Sequence, residues 1–391
     1  MTAAEKDKDN YELRKRMMLW APALYFFILI LVAIHSFKKP EYNWDILPYM
    51  ALVLKADNTN IDAVHRLTYI AAQQNLPAPT YKNLTDTSNA YRKKMSEDSD
   101  AFNNQLPFYV IKPLYISFAY AFYKVGFSLP ASTVLPSIFS YLLIGLLLLY
   151  WLKKYLSIFF SSSVSLLVML SSPMLEIAKL STPDALSAFL LLSSFYFVLE
   201  KQNKMFMFIL MIASIFTRVD NLITCVAIIG LLAFFNKPLK KQSIIQYGSM
   251  ALILFLCYFL ITASTASYGW SMFYNNLSSH HTSSANGFHS AFILKDYLHI
   301  LYANLLHGLY YSNIIIFLVM ILSLFIKRPP ASLKNINFDQ LFSLLIVLII
   351  IAKFILYPDM SDRYYIPFYL VAVILIIRMM AGKEEIPFPK K

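Results

Sequence analysis

Long apolar runs separated by short basic connections dominate this chain. The first run extends from Met17 to about Ile34. Others follow at roughly 134–152, 156–172, 184–199, 205–217, 221–235, 244–263, 300–326, 340–356 and 364–380. Many approach the ~20 residues that carry an α-helix across the hydrocarbon of a bilayer. The pattern predicts an all-α polytopic membrane protein with about ten crossings. A tail at 1–16 precedes the transmembrane domain at 17–382, and a second tail follows at 383–391. No small-residue cleavage site closes the first run before Lys38 and Lys39, so it is expected to stay as an uncleaved span.

The distribution of basic residues sets the expected orientation. Of the 34 Lys and Arg residues, nineteen fall in the tails and loops on the side of the N-terminus, among them Arg14, Lys15, Arg16, Lys153 and Lys154. Five fall in short connections or helix ends on the other side: Lys179, Arg218, Lys295, Lys353 and Arg363. The remaining ten lie in the long segment 36–133, which the positive-inside rule does not weigh. Both tails are therefore expected in the cytoplasm.

Segment 36–133 must then begin and end outside. It contains an apolar stretch, Leu106 to Val125, interrupted by Lys112, Pro113 and Lys124. Such a stretch is a poor lone span, and it is expected to lie in the outer interface or to re-enter the bilayer. The other apolar stretch there, Ile46 to Leu54, is too short to cross. A second outer loop at 264–299 is rich in Ser, Asn, His and Tyr.

Composition sharpens this picture. Hydrophobic residues make up 58% of the 391 residues, charged residues only 14%, and the mean hydropathy is +0.55. A soluble domain carries about 25% charged and 45–50% apolar residues, so a soluble enzyme and a disordered scaffold are excluded. The net charge of +12 reflects cytoplasmic loops rather than nucleic-acid binding. Two cysteines, Cys225 and Cys257, sit in apolar runs and form neither a disulfide framework nor a zinc motif. The adjacent His280 and His281 are poorly placed to chelate one ion, and no metal or cofactor is expected. Only 8 glycines are present, so close glycine-based helix packing is not expected to dominate.

Charged residues near membrane depth are costly and mark functional candidates. Here they gather at the expected outer ends of helices. Asp45 follows the first span. Lys179 and Asp184 flank the turn Leu180-Ser181-Thr182-Pro183. Arg218 and Asp220 divide an apolar run into two short helices, and Asp359, Asp362 and Arg363 open the last span. Plainer roles compete: Asp184 after Pro183 can favour a helix N-terminus through the dipole, and Arg218 can simply pair with Asp220. Carboxylates and cations at one level of an outer membrane face suit group transfer from an anionic lipid. Cations hold the phosphate leaving group, and a carboxylate takes the proton of an incoming hydroxyl or amine. No glycine-rich phosphate loop is present.

The order of motifs resembles the GT-C superfamily of polyprenyl-phosphate-sugar-dependent glycosyltransferases, which includes protein O-mannosyltransferase and lipid A aminoarabinose transferase relatives. The likeness runs from about residue 17 to 235, with a weaker echo at 357–380. It is carried by Trp44-Asp45-Ile46-Leu47-Pro48 after a single span, Lys112-Pro113-Leu114-Tyr115, Gly126-Phe127-Ser128, Leu135-Pro136-Ser137, Ser172-Pro173, Ser181-Thr182-Pro183-Asp184 and Phe216-Thr217-Arg218. The resemblance implies a GT-C-like bundle, with Asp45 as the carboxylate that activates the acceptor, Lys112 on the donor phosphate and Asp184 lining the same cavity. Tyr115 is expected to bind substrate. Arg218 and Arg363 are expected at the phosphate because of their depth. The expected partners are the membrane, a polyprenyl-phosphate-sugar donor and a glycan, lipid or protein acceptor, at a bacterial inner membrane with the site on the extracytoplasmic face. No sizeable C-terminal soluble domain of the kind many relatives carry is expected from this sequence. A transporter or flippase of a lipid-linked or polar substrate is the alternative, and an envelope-glycan transferase or polymerase using an oligosaccharide-lipid is a third reading.

Overall fold

A computed structural model describes residues 3–201, 203–235, 241–265, 293–311 and 337–381. The described residues are helical, and the sole extended pairing among them is an isolated parallel bridge between Glu41 and Leu180. The second outer loop is expected mainly over residues outside this set, as are His280, His281, the later half of the 300–326 run and the tail at 383–391.

Helix α1 (Ala3–Lys38) leads into seven shorter helices. These are α2 (Ile46–Lys55), α3 (Ile61–Asn75), α4 (Ala78–Leu84), α5 (Ala90–Glu97), α6 (Ser99–Asn103), α7 (Pro107–Val110) and α8 (Pro113–Lys124). Then come α9 (Leu129–Leu152), α10 (Ile158–Met169), α11 (Ser172–Lys179) and α12 (Asp184–Tyr196), the last running into a π-turn at Phe197–Lys201. The remaining helices are α13 (Lys204–Thr217), α14 (Asn221–Phe235), α15 (Lys241–Ser264), α16 (Leu294–Tyr311), α17 (Phe338–Leu356) and α18 (Ile366–Met380).

Among the described residues, four helical stretches are long and apolar enough to cross a membrane: Trp20–Lys38, Leu129–Leu152, Gln242–Ser264 and Phe338–Leu356. A fifth arises if α10 and α11, bent by 64°, form one broken span. Pro173 explains the bend: it cannot donate to a continuing α10 but is well suited to the first turn of α11. Helices α13, α14 and α18 are apolar but only 14 or 15 residues long. Outward-facing apolar side chains are large and frequent; Leu167 is 74% and Phe259 70% exposed. Water penalises such a surface and lipid does not, so the chain is read as membrane-embedded.

Among the described residues two large cores stand beside a small third cluster of Ala33, Val134 and Ile138. One fills the bundle, from Tyr25 and Leu29 of α1 to Phe368 and Leu375 of α18. The other belongs to α2–α8: Ile46, Tyr49, Met50, Val53, Val64, Phe102 and Tyr115 bury against one another and reach the bundle through Leu129, Leu186 and Leu190. Asparagine or aspartate caps start three of these short helices, Asn60 for α3, Asn89 for α5 and Asp98 for α6. The apolar stretch at 106–125 divides into α7 and α8 and is not among the helices long enough to cross. Its end turns on Gly126, whose φ of 108° suits glycine. The Gly126 amide donates to the Tyr123 carbonyl at 3.0 Å and the Phe127 amide to the Phe122 carbonyl at 3.3 Å, a Schellman turn that sends the chain into α9.

Candidate functional site

The outer-face candidates meet. Asp45 precedes α2 and its carboxylate is not spent on capping that helix. It accepts a hydrogen bond from the Tyr109 hydroxyl at 3.1 Å and faces the Arg363 guanidinium at 3.9 Å. Its side chain remains 28% exposed. Asp184, the first residue of α12, is 2% exposed and makes no capping bond either. One of its oxygens contacts the Arg218 guanidinium, and the other lies 4.0 Å from Arg363.

Arg218 ends α13. Its Nε donates to Asp220 at 3.0 Å and a second nitrogen approaches the other Asp220 oxygen at 3.4 Å. The pairing of Arg218 with Asp220 is therefore real, but it is part of a larger set. The Lys353 ammonium on α17 reaches Asp220 at 2.8 Å. Lys353, Asp220, Arg218, Asp184, Arg363 and Asp45 thus form a chain of alternating charge drawn from five separate stretches of sequence. Burial opposes ionisation of Asp220, but Arg218 and Lys353 overcome it and hold the carboxyl well below the usual range.

An aromatic wall accompanies the charges. The Tyr364 ring carries the Arg218 guanidinium 4.5 Å and the Arg363 guanidinium 4.8 Å from its centre, contacts that favour cations over the negative ring face. Arg363 also donates to the Tyr364 hydroxyl at 2.8 Å. Tyr357 stands edge-on to Tyr364.

Lys112 differs from the other cations. Among the described residues no carboxylate lies within ion-pair distance of it. Its ammonium sits 5.4 Å from the centre of the Tyr49 ring and 5.0 Å from that of Tyr109, with the Phe108 carbonyl at 3.4 Å. Burial pushes its pKa down to about 8, against the pull of Asp45. The three bridged cations and three carboxylates balance formally, and a protonated Lys112 adds a positive charge beside them.

Asp45, Lys112, Asp184, Arg218 and Arg363 are therefore brought to one end of the bundle. Tyr115 stands behind them. Its ring is buried against Tyr49 and its hydroxyl donates to the Thr133 carbonyl at 2.6 Å, so it supports the wall instead of reaching substrate. Nearby, the Asp359 carboxylate holds the Ser361 turn by accepting from its backbone amide at 2.8 Å, and Asp362 accepts from the Tyr369 hydroxyl at 2.8 Å.

Sequence reasoning missed Lys353, Tyr109 and Tyr364. A lysine in the last turn of an apolar helix was a usable signal for Lys353. No local pattern distinguishes Tyr109 or Tyr364 among 27 tyrosines. Among the described residues no group of three His, Cys, Asp or Glu is arranged to hold a metal ion. No family model, curated protein or solved structure matches the chain.

Proposed function

We propose that this protein is a GT-C-like membrane glycosyltransferase that moves a sugar from a polyprenyl-phosphate donor to an acceptor on the extracytoplasmic face of a bacterial inner membrane. The observation that carries this reading is the division of labour among the charges. Arg218 and Lys353 are committed to close carboxylates. Among the described residues Lys112 has no carboxylate within ion-pair distance and Arg363 has only those of Asp45 and Asp184 at 3.9 and 4.0 Å, so these two cations can take a phosphate without dismantling the site. Asp45, 28% exposed, is the carboxylate beside them that no close cation holds; Asp220 is as exposed but is held by Arg218 and Lys353.

In the proposed step the acceptor O–H or N–H gives its proton to Asp45 while its heteroatom forms a bond to the anomeric carbon. The bond from that carbon to the phosphate oxygen breaks, and its electron pair leaves on the phosphate. Lys112 and Arg363 stabilise the developing charge. Arg218, expected at the phosphate from its depth, takes a different part here: it holds Asp184, Asp220 and the Tyr364 ring in place. About ten crossings, with α2–α8 forming an outer cap over the charged end, complete the proposed architecture.

The test uses purified protein in nanodiscs, labelled polyprenyl-phosphate sugars and candidate acceptors. Asp45→Asn should abolish labelled transfer while leaving folded yield intact. Full transfer by that variant overturns the mechanism. Movement of a lipid-linked substrate across proteoliposomes without covalent transfer favours transport instead.

A further inference from the structure

We propose that Tyr109 is the positioning residue that ties the proton-accepting carboxylate to the phosphate-binding ammonium. The inference rests on the transferase reading and goes beyond it, because it assigns separate tasks to two parts of one side chain. The hydroxyl donates to Asp45 at 3.1 Å. This is the single hydrogen bond that the Asp45 side chain accepts among the described residues. The ring face of the same tyrosine receives the Lys112 ammonium 5.0 Å from its centre. Burial, reinforced by the Asp45 charge, pushes the phenol well above its ordinary pKa, so it remains a donor.

This arrangement solves a problem of mutual attraction. A lysine beside a carboxylate would normally close into an ion pair, and neither group would then be free for substrate. The Tyr109 ring gives Lys112 an electron-rich surface that is not an anion. Its hydroxyl meanwhile fixes the direction of the Asp45 carboxylate. The rigid ring lies between the two functions, and Tyr49 braces it edge-on at 5.2 Å. Base and ammonium therefore keep their separation before any substrate arrives, which is the preorganisation that group transfer needs.

Phe and Leu at position 109 separate the two tasks. Tyr109→Phe keeps the ring and loses the hydroxyl; kcat should fall roughly tenfold or more, with the donor KM and the affinity for polyprenyl monophosphate unchanged. Tyr109→Leu loses both; it should show the same fall in kcat and, in addition, about three- to tenfold weaker polyprenyl monophosphate binding. Unfolding midpoints report whether either variant is structurally damaged, and the Phe variant, being nearly isosteric, carries the decisive comparison. Wild-type kcat in Tyr109→Phe, or equal loss of donor affinity in both variants, overturns the proposal. Asp45→Asn and Lys112→Met are measured in parallel. If Asp45→Asn keeps full transfer, the transferase mechanism itself fails. If it abolishes transfer while Tyr109→Phe is unaffected, the role of Tyr109 alone is rejected.

Discussion

At the scale of single residues, the site separates charges that are locked from charges that are available. Asp220 and Lys353 belong to the first kind. Lys353 is almost fully buried and its ammonium is held by Asp220 at 2.8 Å. Removing one member of such a pair strands the other in a medium that solvates it poorly, at a cost of about 3–5 kcal/mol. Asp220→Asn should therefore destabilise the protein by about that much, and adding Lys353→Met should recover most of the loss. Reversible unfolding of both single variants and the double variant checks this; additive losses would show that the two side chains are not coupled. Lys112 belongs to the second kind, and its behaviour with pH follows from its position. Its ordinary pKa of 10.5 is lowered to about 8, mainly by burial. Below pH ~8 it is an ammonium, and above that it loses the charge that attracts phosphate. Binding of polyprenyl monophosphate should weaken as pH rises through 8, since the second ionisation of a phosphate monoester is complete well below that point. For stability the sign is opposite: between about pH 8 and 10.5 the unfolded chain holds more protons at this lysine, so its contribution to stability rises with pH. Lys112→Arg should bind phosphate with no break near pH 8, because arginine stays charged throughout.

At the scale of elements, helix length and close approach shape the bundle. Two ends of the bundle carry buried charge. Opposite the candidate site, Arg378 donates to Asp339 at 2.8 Å and to Glu200 at 2.9 Å, and Glu200 also accepts from Trp151 and Lys154. Asp184 and Glu200, Lys353 and Asp339, and Arg363 and Arg378 link the two clusters along α12, α17 and α18. Each pair is separated by 14–16 residues, roughly 21–24 Å of helix. That is shorter than the ~30 Å of a hydrocarbon layer, so if these helices cross the membrane at least one cluster lies in a recess below its surface. On the other side of the bundle, α1 approaches α9 at Gly145, whose carbonyl accepts the Tyr25 hydroxyl at 2.8 Å. A methyl group there would meet the Leu29 tip at 2.6 Å and the Tyr25 oxygen at 3.0 Å. Gly145→Leu should cost about 1–3 kcal/mol of stability, whereas Gly145→Ala should cost less, because the leucine tip can turn away. Trimming that tip with Leu29→Ala should lessen the penalty of Gly145→Ala, measured by unfolding midpoints of the four-member cycle. The long helices Leu129–Leu152 and Phe338–Leu356 were legible, as apolar runs at roughly 134–152 and 340–356, because hydrophobicity over one membrane thickness is a property of sequence alone. The bend between α10 and α11 was not read, although Ser171-Ser172-Pro173 contains its cause; apolar content on both sides masks a change of direction. The closeness at Gly145 was equally hidden, since it depends on a partner helix more than a hundred residues away.

At the scale of the whole molecule, the two charged clusters impose a polarity that the distribution of lysines and arginines reads independently. The convergence of Asp45, Lys112, Asp184, Arg218 and Arg363 was legible because burying charge in lipid is so costly that intramembrane charges seek one another. Apart from Arg218 with its near neighbour Asp220, their pairing was not, because which carboxylate faces which cation depends on how α13, α17 and the turn before α18 are rotated. The proposed orientation across the bilayer rests on the surrounding charge. Lys153, Lys154, Lys201 and Lys204 surround the end that holds Glu200 and Arg378, and by the positive-inside rule we propose that end for the cytoplasm. The cap formed by α2–α8 packs against the opposite end, where Glu41 bridges to Leu180 beside Asp184. If α12, α17 and α18 cross the membrane, these two ends cannot share a side. With Cys225 and Cys257 replaced, a cysteine at Ser88, which lies in the cap and is exposed, should react with an impermeant maleimide in intact cells. One at the exposed Lys153 should react only after permeabilisation. Labelling of both positions from one side would show that the linking helices do not cross, and the reverse order would place the candidate site in the cytoplasm, away from any donor displayed on the outer leaflet.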